Sequence, residues 1–221
     1  MPVAAASPLL VAVVWGLVGA GLGVLVRIAN VLLARLEGLA AGRRRWQTYG
    51  PPLVAALALA SLGWRNGAHW PLLVRSLWAL ILVQVIFFDA EHHLVLDRVI
   101  LPAGLAAIGL SFITPGLGWQ SALIAGGAAG LIFLVIAIAG TLYFRTEAMG
   151  LGDVKLAAFI GLVLGIASTT TALLAGVIAA GVVAVLLLAL RLKTRRDAIP
   201  YGPFLSLGGL LGLFLSSGGV R

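Results

Sequence analysis

The chain is expected to fold as an all-α, polytopic membrane helix bundle with about eight transmembrane helices, and three observations lead there. It is 62% hydrophobic, only 10% charged and has a mean hydropathy of +1.14, which is too much apolar surface for a soluble domain of 221 residues. Several of its apolar runs are long enough to cross a bilayer. The runs are continuous and lack the two-residue alternation of barrel strands, so they read as helices.

The first span is expected at 8–33. No basic segment precedes it, and the apolar stretch from Leu9 to Leu33 is longer than the core of a signal peptide, so it reads as a retained helix. A second span, 51–64, follows the break Gly50-Pro51-Pro52 and stops at Trp64-Arg65-Asn66-Gly67. The third covers 71–88, and the fourth covers 99–114, up to Thr114-Pro115-Gly116. The fifth is 119–144, the sixth 154–168, the seventh 170–190, and the last, 201–217, follows Ile199-Pro200-Tyr201-Gly202. The second, fourth and sixth are short, which suits tilted or partly buried helices.

Basic residues orient these spans. With an outside N-terminus, the inner loops hold Arg35, Arg43, Arg44, Arg45, Arg98, Arg145, Lys155, Arg191, Lys193, Arg195 and Arg196, eleven of the fifteen basic residues. Arg65, Arg75 and Arg221 then lie outside and Arg27 within a span. The net charge of +8 follows from this topology and from contact with anionic lipid; with no soluble module to carry it, no nucleic-acid partner is implied. The same orientation puts Asp89 and Asp153 on one face, the cytoplasmic one.

Only seven carboxylate side chains occur in the chain. Ionisable groups at the edge of an apolar span are costly unless they face protein or water, so they are functional candidates. Asp89 closes the third span and Asp153 opens the sixth. Glu37, Glu91, Glu147 and Asp197 lie in Arg-rich loops, where solvated charge or ion pairing explains them. Asp97 precedes the fourth span and Asp153 the sixth, so either can act as a helix cap; for Asp153, cap and catalyst are equal readings until its neighbours are considered. Gly150 and Gly152 permit positive φ and close approach of another strand, which a cap does not need and a protease does. Lys155 is either a head-group anchor or a charge that steadies the acids. His92 and His93 are sequence neighbours and do not share a helical face, so no metal site is expected; the absence of cysteine removes thiolate ligands and disulfides.

Three segments, in order, resemble the type IV prepilin peptidases. Asp89-Ala90-Glu91-His92-His93-Leu94-Val95-Leu96-Asp97-Arg98-Val99-Ile100-Leu101-Pro102 is similar to the family's first active-site segment, Gly150-Leu151-Gly152-Asp153-Val154-Lys155 to its Gly-x-Gly-Asp motif, and Ile199-Pro200-Tyr201-Gly202-Pro203-Phe204 to its closing segment. The resemblance covers 71–217, with a weaker likeness at Gly16–Gly21 and Val26–Asn30 in the first span. It implies an integrated unit in which 1–70 supply N-terminal spans and a short basic loop while 71–217 form the catalytic membrane domain. Leu96 replaces the family's usual Pro before the second acid. The bifunctional members carry paired Cys-x-x-Cys motifs in the first cytoplasmic loop, and this chain has none between Arg35 and Gly50.

The resemblance therefore implies an aspartic endopeptidase of the prokaryotic inner membrane, without the S-adenosylmethionine-dependent N-methylation and without cofactor or metal. Asp89 and Asp153 are its catalytic acids: two carboxyls held close share one proton, one acting as base toward water and the other as acid toward the scissile carbonyl. Gly150, Gly152 and Lys155 are expected to support them, and Asp97, Glu91 and Glu147 to attract basic residues of the substrate leader. Implied substrates are prepilin or pseudopilin-like proteins. The run Gly126-Gly127-Ala128-Ala129-Gly130 allows close helix packing, including between two copies. Two other readings stand beside this one: a small ion- or proton-coupled transporter, which also places membrane acids on broken helices, and a non-catalytic pilin-binding protein.

Overall fold

A computed structural model describes residues 7–40, 42, 44–145, 149–192 and 200–216. Glu147, Asp197 and the basic residues Arg43, Lys193, Arg195, Arg196 and Arg221 lie outside the described residues. The described chain is all-helical: α1 Pro8–Leu36, α2 Arg45–Asn66, α3 Trp70–His92, α4 Asp97–Ser111, α5 Trp119–Phe144, α6 Leu151–Ala189 and α7 Gly202–Ser216. Four of them, α1, α3, α5 and α6, are long and apolar enough to cross a membrane, and α7 is a shorter apolar helix. The expected count of eight crossings is not confirmed in that form. Large apolar side chains remain exposed along α1, α5 and α6, such as Leu17, Leu25, Ile132, Ile138, Ile178 and Val185, as a lipid-facing surface requires. The chain is an integral membrane protein.

Two boundaries differ from expectation for physical reasons. Helix α2 begins at Arg45 and runs through Pro51 and Pro52, with no break there. Inside a bilayer a loosened segment has no water to satisfy its backbone, so continuing the helix is preferable to opening a loop. Glycines on α1 receive this helix: a Cβ on Gly23 would stand 2.5 Å from Pro52 Cα, and one on Gly19 2.6 Å from the Ala55 carbonyl oxygen.

The second difference is in α6. As one rod its 39 residues would reach about 58 Å, roughly twice the hydrocarbon thickness. The axis instead breaks at Gly165, with φ 67° and ψ −177°, a conformation open to glycine and strained for other residues. Contacts with α7 show that the chain reverses there. Ile160 lies against Gly209 and Leu164 against Gly212; past the break, Ala172 lies against Gly208 and Gly212, and Gly176 against Phe204 and Leu205. The register on α7 climbs and then descends, so α6 is a helical hairpin whose turn is Gly165. The backbone groups freed by the turn find partners: Ile166 N–H donates to Ser121 Oγ at 2.9 Å, and Thr169 Oγ1 donates to the Gly165 carbonyl at 2.5 Å. The expected spans 154–168 and 170–190 put the break at Thr169, four residues after the observed one.

Helix α3 is the centre of the bundle. Most of its length is buried, from Leu72 through Trp78, Leu82 and Phe88 to Asp89, against α2, α7 and α1. Two polar pairs inside join helices: Trp15 Nε1 donates to Ser76 Oγ at 2.8 Å, and Gln84 Nε2 to Asn30 Oδ1 at 3.1 Å.

Helices α5 and α6 meet through small residues, and part of the Gly126–Gly130 run is used within the chain. Gly126 faces Leu162 and Ala158, and Gly130 faces Ala158, while Gly127 is open. A Cβ on Gly161 would lie 2.5 Å from the Ala125 carbonyl oxygen and 2.7 Å from Gly126 Cα, backbone atoms that cannot swing aside. Gly161→Leu is therefore expected to destabilise the bundle by about 2–3 kcal/mol, read as a lowered midpoint of thermal unfolding in detergent. An unchanged midpoint would show that the two helices do not pack at this distance.

Candidate active site

Asp89 and Asp153 reach one cavity from two helix ends. Asp89 lies in the last turn of α3, which terminates when His93 takes the left-handed conformation (φ 54°) and donates its backbone N–H to the Asp89 carbonyl at 2.8 Å. That turn directs the chain through Leu94–Leu96 into α4, with the Asp89 side chain left 4% exposed. Asp153 lies in the first turn of α6, where Gly150 occupies the capping position, so Asp153 itself is not the cap. Its negative charge is favourable near a helix N-terminus.

Both acids line a cavity of about 500 Å³ with Glu37, His93, Asp97, Arg98, Gly150, Gly152 and Lys155. Asp153 lies near enough to Asp89 to be repelled by its charge. The start of α7 closes the Asp89 side. The Gly202 backbone N–H bears on the Asp89 carboxyl, and a Cβ at Gly202 would stand 2.6 Å from Asp89 Oδ2. Oδ2 is buried and has no hydrogen-bond partner among the described residues. A buried carboxylate oxygen without a donor is costly, and such groups concentrate where a reaction or a bound water uses them.

Two ion pairs tie the cavity wall together. Lys155 Nζ donates to Asp97 Oδ1 and Oδ2 at 2.7 and 2.8 Å, joining α6 to α4. Arg98 Nε meets Glu37 Oε1 at 3.0 Å, joining α4 to the end of α1. Two carboxylates on the wall are thus matched by two cations; neither Asp89 nor Asp153 is ion-paired to a Lys or Arg among the described residues, and the cationic group that acts on Asp89 is His93.

Residues 76–185, which include both acids, match the sequence profile of the type IV leader peptidase family. The chain belongs to this family. Similar proteins include the prepilin leader peptidase/N-methyltransferases of Legionella pneumophila (32% identical over 153 residues, 68% of this chain and 53% of that protein) and Bacillus subtilis strain 168 (30% over 162 residues, 72% and 62%). That of Aeromonas hydrophila is 27% identical over 161 residues, 73% of this chain and 56% of its own length. The chain thus spans between 53% and 62% of the length of these three relatives. No solved structure matches it.

In this leader peptidase family member the supporting residues divide by location. Among the described residues nothing is nearer the Cβ position of Gly150 than Gly152 N at 3.9 Å, which leaves room for a strand to approach it. Gly152 is a packing residue: a Cβ there would lie 2.9 Å from Val95 Cβ, in the connection that follows Asp89. Neither uses the positive φ that glycine allows; Gly150 is extended at φ −70°, ψ 146°. Leu96, in place of the family's usual Pro, takes φ −75°, close to the value that proline enforces, so the turn into α4 keeps its course. Glu91 does not line the cavity of the two acids. It lines a separate space of about 20 Å³ with Arg27, Asn30, Gln47 and His92.

Lys155 is neither a free anchor nor a direct partner of the two acids, since its ammonium is held by Asp97. With side chains 37% and 54% exposed, this pair is largely screened by solvent, and Lys155→Ala is expected to cost under about 1 kcal/mol of stability. Thermal unfolding in detergent measures this; a loss several times larger would mean that the pair is sealed from water. Glu37 and His93 line the cavity and Gly202 abuts Asp89; His93 and Gly202 fall within segments that carry the family likeness without standing out there, and Glu37 falls in none. Glu37 arrives from a helix end, His93 through a left-handed cap, and Gly202 through the packing of α7.

Proposed function

We propose that the chain is a membrane-embedded aspartic endopeptidase that removes the basic leader from prepilin-like precursors at the cytoplasmic face of the inner membrane. The observation that carries this reading is the convergence of Asp89 and Asp153, from helices far apart in sequence, on one polar cavity. A water between them loses a proton to the ionised carboxylate as its oxygen attacks the scissile carbonyl carbon. The protonated partner gives its proton to the carbonyl oxygen, and the resulting diol collapses as the amide nitrogen takes a proton and leaves. Asp89 Oδ2, buried and without a donor among the described residues, suits a position that a water or a substrate carbonyl completes.

The cytoplasmic assignment rests on basic residues at the acidic end: Arg35, Arg44, Arg45, Arg98, Arg145 and Lys155 stand at the helix ends and connections nearest Asp89 and Asp153. N-methyl transfer is not part of the proposal. Only a short connection joins Leu36 to Arg45, and the chain has no cysteine with which to staple a metal-bound subdomain there.

Incubating the lipid-reconstituted chain with a purified prepilin precursor tests both parts. Mass spectrometry should find the leader released at one position and no methyl group on the new N-terminus when S-adenosylmethionine is supplied. Intact precursor after prolonged incubation overturns the peptidase reading, and a methylated product overturns the monofunctional one.

A further inference from the structure

A second concavity, of about 520 Å³, lies between α5 and the second half of α6. Its walls are Ile124, Ala128, Ile132 and Ile136 on one side and Ile166, Thr170, Leu174 and Val177 on the other, with no charged residue among the described residues that line it. It starts beside the Gly165 turn. Its other end is formed by Met149 and Tyr201. Those two residues immediately precede Gly150, in the wall of the acid cavity, and Gly202, whose backbone abuts Asp89. The apolar groove therefore ends between the two stretches that carry and contact the acids.

We infer that this groove seats the apolar transmembrane helix of the substrate while the polar segment before it lies in the acid cavity; the inference rests on the peptidase reading. The two spaces differ in chemistry as the two halves of such a chain would. One is walled by Glu37, Asp97, Arg98 and Lys155, the other by aliphatic side chains and small residues. A polypeptide in the hydrocarbon layer must satisfy its own backbone and so must be helical there. From Ile124 to Ile136 the α5 wall is about 18 Å long, room for roughly three turns of a partner helix. Ala128 and Thr170 are exposed positions with short side chains on opposite walls, so a helix can approach closely between them. The helix must unwind where the groove meets Gly150, whose open flank admits an extended strand.

The test compares a prepilin precursor with a peptide truncated before its apolar helix, using the full chain in lipid. Ala128→Trp and Thr170→Trp fill the groove without touching the acids. Each is expected to raise KM for the precursor about tenfold, a loss of about 1.4 kcal/mol, with kcat within about twofold and cleavage of the truncated peptide unchanged. Leu17→Trp, on the exposed face of α1 and lining neither the groove nor the acid cavity, is expected to leave both substrates unaffected. As a second measurement, a photo-crosslinker at Leu174 in the Asp153→Asn chain should capture the apolar part of the precursor, and one at Leu17 should not.

Unchanged KM in both groove variants together with no capture at Leu174 overturns the inference and leaves the peptidase reading intact; the groove would then hold lipid. So does an equal effect of Leu17→Trp, or a crosslink from Leu174 only to a second copy of the chain. A wild type that cleaves neither substrate overturns the peptidase reading and this inference with it.

Discussion

Asp153→Asn is expected to lower kcat for leader cleavage by about 10³- to 10⁴-fold with the bundle still folded. Asparagine keeps the shape of the side chain in the first turn of α6 and removes its capacity to exchange a proton. Asp89→Asn should do the same from the end of α3. Because the two carboxyls act as one unit, the double variant should be no slower than either single one, the non-additivity that marks groups sharing a step. Single-turnover cleavage of a reconstituted precursor, with helix content followed by circular dichroism, measures both. Full processing by either single variant would sink the paired mechanism, and transport or binding without hydrolysis would return as readings of the cavity.

Gly202→Ala is the second large effect. The added methyl would stand 2.6 Å from Asp89 Oδ2 and 2.9 Å from its Cγ, closer than carbon and oxygen can approach, so either the carboxyl or the start of α7 must move. Misplacement of a reacting group by about 1 Å costs on the order of 10² in rate, and a loss of that size is expected in kcat. Gly202 sits at the rim of the helix and not in the Leu82–Ile160–Leu205 core, so the thermal midpoint should fall little. A normal rate in Gly202→Ala would mean that α7 does not abut Asp89 in the working enzyme. The closing segment carries part of the family likeness with no role assigned to Gly202 along the sequence; its approach to Asp89 gives this glycine a place at the site.

How much could be read in advance is best seen from particular residues. Asp89 and Asp153 stood out because a charge at the end of an apolar run is conspicuous in one dimension, and the spacing around them carried the family likeness. Gly165 did not stand out. It lies in an unbroken apolar stretch, four residues before Thr169, where the expected spans 154–168 and 170–190 meet. Only the three-dimensional path, with Ile166 bonded to Ser121 and α7 gripped from both sides, shows why the turn falls there. Pro51 and Pro52 misled in the opposite direction, since the local penalty of proline was outweighed by the cost of an open backbone in lipid. Lys155 had two plausible roles along the chain and took a third, because Asp97 reached it from a helix that sequence distance does not connect to it.

By itself, the sequence determined the helical membrane class, the two acids and the likeness to the leader peptidases, because hydropathy and motif spacing are properties of short segments and their solvent. Tertiary structure alone decided that Gly202 closes on Asp89, that Lys155 belongs to Asp97, that Glu37 joins the cavity, and that α6 folds back at Gly165 to leave an apolar groove ending beside the acids. Those are pairings between helices, set by which small residues let two backbones approach, and no local period records them.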